Sequence, residues 1–117
     1  MARFAPKVFG EQHGTPTEQE QRVAVKLGGR RQAGSGASDY AKGDVKAGDF
    51  LIECKQTEKQ SLSVKGEWLS KITREAMAAG RTPALSIEIK GIDDRLVEHD
   101  WVAVPMSVFR RLTGQSD

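Results

Sequence analysis

The apolar positions in the first half of the chain fall at helical and then at strand spacing. Val23, Ala24 and Leu27 share one helical face, and stepping back from them by three or four positions lands on Glu20. The helix is predicted to start at Thr15 as N-cap, with Pro16 at the first helical position and Glu18 completing a capping box. It should end near Leu27, because Gly28-Gly29 accepts the left-handed conformation in which helices commonly stop. Arg30 to Ala33 reads as an edge strand or an extended connection into the small polar loop Gly34-Ser35-Gly36-Ala37-Ser38. From Phe50 to Lys55 the side chains alternate, with Phe50, Ile52 and Cys54 on one face and Leu51, Glu53 and Lys55 on the other. Ala47-Gly48-Asp49 is the turn of a hairpin that returns Glu53 toward Asp44. The expectation is core on the first face and chemistry on the second.

The second half repeats both periodicities. Gln56 to Lys65 is polar apart from Leu62 and Val64, which predicts a loop with a short extended segment. Trp68, Leu69, Ile72, Ala76 and Ala79 form the stripe of a helix from Glu67 to Ala79, closed by Gly80, with Lys71 and Arg74 outside the stripe. Pro83 opens a strand, expected to be internal, in which Leu85, Ile87 and Ile89 alternate with Ser86, Glu88 and Lys90. After a polar loop to about Asp100 come a strand from Trp101 to Val104 and a last helix from Pro105 with Val108, Phe109 and Leu112 apolar. This order predicts a single α/β domain, a mixed β-sheet flanked by α-helices. It would occupy residues 15–113, between a loosely ordered arm (1–14) and a tail (114–117) that frays.

A length of 117 residues suits one small domain. No apolar run is long enough to cross a bilayer, and the first seven residues lack the apolar core of a signal peptide, so no membrane association and a cytoplasmic location are expected. The single Cys54 excludes an internal disulfide framework. A net charge of +2 says little, but its distribution says more. Nine bases (Arg22, Lys26, Arg30, Arg31, Lys42, Lys46, Lys55, Lys59, Lys65) stand against five acids (Asp39, Asp44, Asp49, Glu53, Glu58) between Arg22 and Lys65. That field suits a polyanionic substrate.

The hairpin brings two carboxylates and a lysine together. Asp44 and Glu53 side by side repel each other, and a hard divalent cation with oxygen ligands relieves that repulsion. Glu20, an acid on an otherwise apolar helix face, is the third acidic candidate in preference to Glu18, which has a cap to make. The bland reading of Glu53 and Lys55 is a surface cross-pair, since an acid, any residue and a lysine recur at Glu88-Ile89-Lys90. The second copy has no acid in the ten residues before it and is read as an exposed strand face. His13 and His99 lack a partner at ligand spacing and are read as solvated. Cys54 is read as a buried inert thiol, Trp68 and Trp101 as core, and Tyr40 as either a substrate contact or a cover for the hairpin.

The run Gly43-Asp44, eight residues, then Glu53-Cys54-Lys55 resembles the PD-(D/E)XK nuclease signature, with Gly in place of the usual Pro. Together with Glu20-x-Arg22, Leu27-Gly28-Gly29, Gly34-Ser35-Gly36-Ala37 and Lys42-Gly43-Asp44-Val45, it is similar to the Holliday-junction resolvases of archaea and phages, over roughly residues 15–90. The resemblance implies a restriction-endonuclease-like fold and hydrolysis of DNA phosphodiesters with Mg2+ or Mn2+. Carried over by position, it makes Glu20 the helix acid, Ser35 the loop serine, Asp44 and Glu53 metal ligands and Lys55 the catalytic lysine. The Cys54 carbonyl would complete the metal site, with Glu20 acting on the ion through water. Arg30, Arg31, Ser35, Lys42 and Lys65 would bind DNA phosphates. Branched DNA would be the substrate and a homodimer the active form, in host cytoplasm if the source is a phage. The alternatives are a nicking or restriction-type nuclease without junction selectivity, and a DNA-binding module without catalysis.

Overall fold

A computed structural model describes residues 16–32 and 43–115. Helix α1 (Pro16–Leu27) is followed by β1 (Arg30–Arg31), β2 (Val45–Ala47), β3 (Phe50–Thr57), α2 (Gly66–Ala79), β4 (Thr82–Ile89), β5 (Asp100–Ala103) and α3 (Met106–Leu112). The strands lie in the sheet in chain order; β3 and β4 are parallel and every other neighbouring pair is antiparallel. The expected mixed sheet and its order are found. The expected cap at Thr15, the loop containing Ser35 and Tyr40, and Lys42 lie outside the described residues.

The helix ends follow local chemistry. Gly28 adopts φ 69°, and the Gly28 and Gly29 amides turn back to the carbonyls of Val25 and Ala24. Gly80 adopts φ 68° and stops α2 in the same way, its N–H and that of Arg81 returning to Met77 and Ala76. The hairpin turn is the predicted one: Ala47 pairs with Phe50, and Gly48 takes φ 56°.

The faces of β3 correct a sequence expectation. One face carries Ile52, which joins Val23 and Ala24 of α1, Val45, Ala47 and Ala84, with Phe50 and Cys54 packed beside them. The face expected to be free for chemistry is also covered, because Leu51 is buried against Ile72 and Ala76 of α2. With α1 on one face of the sheet and α2 on the other, β3 is covered on both, so alternation there does not separate core from solvent. Leu27, Leu69 and Ala79, assigned to inward stripes, are exposed; in α1 the position facing the sheet is taken by Gln19, which is fully buried.

Glu88 corrects a second expectation. The strand face that carries it is buried: Arg22 Nη2 reaches Glu88 Oε1 at 3.0 Å and Asp100 Oδ1 at 2.9 Å, and Lys26 Nζ reaches Asp100 Oδ2 at 2.9 Å. Glu88 and Asp100 are cross-strand partners in β4 and β5, so the cluster ties α1 to two strands at once. Burial raises the Asp100 carboxyl, but the bonds from Arg22 and Lys26 outweigh it and hold the group below the usual carboxylate range. This pairing therefore stabilises the fold above the ordinary carboxylate range and is lost as pH falls through the depressed value. Removing the arginine leaves Glu88 buried without its partner. Arg22→Ala is expected to cost about 3 kcal/mol in urea unfolding at neutral pH, and a loss below about 1 kcal/mol would show the cluster to be incidental.

Candidate active site

Asp44 is held at three points just before β2. Its N–H donates to the Ile52 carbonyl at 2.9 Å, its carbonyl accepts from the Gln32 N–H at 2.9 Å, and its carboxylate Oδ2 accepts from the Cys54 N–H at 2.7 Å. The antiparallel register pairs Val45 with Ile52, and one step further sets Asp44 across from Glu53. Here β3 outruns its neighbour, so the Asp44 carboxylate takes the place of the next strand residue on Cys54. Asp44 is thus both a charged group and part of the sheet.

Glu53 is 8 % exposed and has two ammonium groups beside it. Lys55 Nζ lies 3.6 Å from Oε2 and Lys71 Nζ lies 3.5 Å from Oε1. Lys55 also stands over the ring of Trp68, 4.5 Å from its centroid, where the ring quadrupole attracts the charge. Gln19 Nε2 donates to the Lys55 carbonyl at 2.8 Å, so α1 fixes the backbone of this residue while α2 places its side chain. Glu75 of α2 accepts from the Gly43 N–H at 2.9 Å and pairs with Lys71 at 3.5 Å. Trp68, Lys71 and Glu75 are a helical stripe facing the hairpin, next to the apolar stripe of Ile72 and Ala76.

Burial pushes the Glu53 carboxyl above its usual range, and the charge of Asp44 pushes it further, against the pull of Lys71 and Lys55. Burial likewise raises Asp44; the Cys54 N–H opposes it and the charge of Glu20 adds to it. The helix acid whose charge reaches Asp44 is therefore Glu20, which is itself bonded by Arg31 at 3.2 Å. Cys54 packs against the α1 core and burial drives its thiol far up, away from nucleophilic use.

Carboxyls raised in the fold have a sign for stability. Their favourable contribution is complete below the unfolded value and is lost as pH rises through the folded one, so at neutral pH both acids oppose folding. Glu53→Gln is expected to melt above the wild type at pH 7 without divalent ions, with the difference closing as pH falls toward about 4. Thermal unfolding followed by circular dichroism checks this; a lower melting temperature at pH 7 would contradict it.

Among the described residues, no three or more His, Cys, Asp and Glu side chains are grouped for metal binding. The residues present suit a hard cation: two acids, each raised by burial and by a neighbouring acid, offer oxygen ligands. They do not suit zinc, which takes mainly nitrogen and sulfur ligands.

The chain superimposes on Archaeoglobus fulgidus Hjc, a Holliday junction resolvase from an archaeal hyperthermophile, with a TM-score of 0.52 and 18% identity over 80% of this chain and 89% of that one. The fold is restriction-endonuclease-like. No protein-family model matches the sequence, and neither does any curated protein. At this identity the likeness carries the fold alone.

The other sequence candidates are placed unevenly. Arg30 is exposed on the edge strand, Arg31 is engaged by Glu20, and Lys65 is exposed at the start of α2. Ser35 and Lys42 lie outside the described residues. Trp68 is half-buried as a cover for Lys55, and Trp101, expected in the core, is 54% exposed on the edge strand β5. His99 is half-buried, its Nε2 3.0 Å from the Ile92 carbonyl, where a solvated side chain was expected. Gln19, Lys71 and Glu75 had not been singled out. Trp68, Lys71 and Glu75 carry a readable signal, their spacing of three and four, but only the packing of α2 on β3 gives it meaning.

Proposed function

We propose that the chain is a metal-dependent DNA endonuclease selective for four-way junctions and active as a homodimer. The observation that carries this reading is the convergence of Asp44, Glu53 and Lys55 just before β2 and on β3, in a fold shared with a junction resolvase. Asp44, Glu53 and the Cys54 carbonyl would hold Mg2+ or Mn2+, with Glu20 acting through water. When bound, the ion supplies Lewis acidity at the phosphoryl oxygen and makes water a stronger acid. Lys55, fixed by Trp68 and Glu53, orients the attacking water and neutralises charge gathering on the phosphate. Arg30 and Lys65, with Ser35 and Lys42, bind neighbouring phosphates without reading sequence.

The dimer has support in the surface. Trp101 and Val102 of the edge strand β5 and Met106, Phe109 and Leu112 of α3 are exposed apolar residues close in sequence. A junction has approximate two-fold symmetry, and paired cuts call for two equivalent sites on a C2 assembly. No helix among the described residues is long and apolar enough to cross a membrane.

The test is cleavage of a synthetic four-way junction and a matched linear duplex with Mg2+, with light scattering for the assembly. Paired cuts in the junction, little duplex cleavage and a dimer mass are expected. Equal cleavage of both DNAs would leave a nicking or restriction-type nuclease, and a gel shift with no cleavage would leave a binding module.

A further inference from the structure

Glu53 stands between two lysines that are held differently. Lys55 is fixed on three sides: its ammonium lies 4.5 Å from the Trp68 ring centroid and 3.6 Å from Glu53 Oε2, and its carbonyl accepts from Gln19. Lys71 approaches the other oxygen from the solvent side. Its side chain is 50% exposed, and it is held at 3.5 Å by Glu53 Oε1 and at 3.5 Å by Glu75 Oε2. The ion pairs of the two lysines are similar in length, but the Lys71 side chain is the more exposed and has no ring against it, so Lys71 is attracted without being covered. Glu75 is anchored, because its Oε1 accepts from the Gly43 N–H next to Asp44.

We infer that Lys71 is the resident counter-cation of Glu53, holding the place of a divalent ion in the free protein and turning to a DNA phosphate when the ion arrives. The inference rests on the metal-dependent reading above. An ammonium and a divalent ion repel strongly at contact distance from one carboxylate in a half-buried site, so both cannot occupy the Glu53 oxygens at full strength. Lys71 has a flexible four-carbon stem and a solvent-facing path, and Glu75 keeps the displaced ammonium tethered near the site. Lys55, with its ammonium over the Trp68 ring, is the more covered of the two. The arrangement keeps the acids neutralised at rest and frees one phosphate-binding charge for each ion bound.

The proposal is tested on the full chain by Mn2+ titration calorimetry without DNA. Lys71→Met keeps the stem and removes the charge, and is expected to tighten Mn2+ binding about tenfold, the reverse of what loss of a structural contact would do. Glu75→Gln still accepts from the Gly43 N–H but leaves Lys71 to Glu53 alone, and is expected to weaken Mn2+ binding several-fold. With Ca2+ in place of a cleaving ion, Lys71→Met should bind the junction about tenfold more weakly, with a salt slope shallower by about one contact. If wild-type binding is abolished in Glu53→Gln yet unchanged or weakened in Lys71→Met, the Lys71 proposal alone is overturned. If the wild type binds no Mn2+ at all, the metal reading falls and this inference falls with it.

Discussion

Asp44→Asn and Lys55→Met proteins are expected to lose junction cleavage by at least about a thousandfold, for different reasons that direct measurement separates. Asn at position 44 can still accept the Cys54 N–H that the carboxylate accepts at 2.7 Å, so the β2–β3 hairpin should remain folded while a ligand charge is lost. Calorimetry on this variant should show Mn2+ binding greatly weakened. Lys55→Met leaves both acids in place and should bind Mn2+ at least as well as the wild type, since a competing positive charge 3.6 Å from Glu53 is gone. It should bind junction DNA yet turn over too slowly to measure in the time the wild type takes to finish. Cleavage within tenfold of wild type by either variant would remove that residue from the proposed chemistry.

Placing proline at position 43, the residue usual in the nuclease signature, is expected to be the most damaging single change to the fold. Gly43 has φ 73°, in the left-handed region, whereas a proline ring holds φ near −65° or so. A side chain there would also meet Leu51, whose Cγ would lie 2.6 Å from the new Cβ. Leu51 is 1% exposed and packed against Ile72 and Ala76, so it has little room to move. Proline would also remove the N–H that Glu75 accepts, leaving a largely buried carboxylate without that bond. These effects together predict a loss of at least about 4 kcal/mol, read from the urea midpoint, or failure to fold. Gly43→Ala should lie between, because it keeps the N–H but not the backbone freedom. A Gly43→Pro protein as stable as the wild type would mean that the hairpin enters β2 along a different path.

Gly43 stands where the signature usually has proline, and the structure gives the reason. In this chain the residue before the first acid must bend left-handed and present its amide to α2. A signature compares residue types position by position, and neither the sign of φ nor an amide partner 32 residues away is visible in it. The Glu88-Ile89-Lys90 copy shows the same limit from the other side. Its form equals that of the site motif, yet Glu88 is turned toward α1 and bonded to Arg22, while Lys90 bonds Glu58 at 3.1 Å. Two motifs of one form differ in role because different helices cover them.

Much was settled by local order alone. The glycines at 28, 48 and 80 and the alternation in Phe50 to Lys55 each act within a few residues, and the C-terminal helix ends, the hairpin and its register follow them. Since the register is local, the meeting of Asp44 with Glu53 and Lys55 was legible as well. What covers each face was not. That both sides of β3 are buried, that Arg22 neutralises Glu88 and Asp100, and that Trp68, Lys71 and Glu75 surround the acids all depend on where α1 and α2 come to rest. Those positions are decided by contacts between segments tens of residues apart. Periodicity states only that a helix has an apolar face, whereas burial and charge pairing are properties of what that face meets.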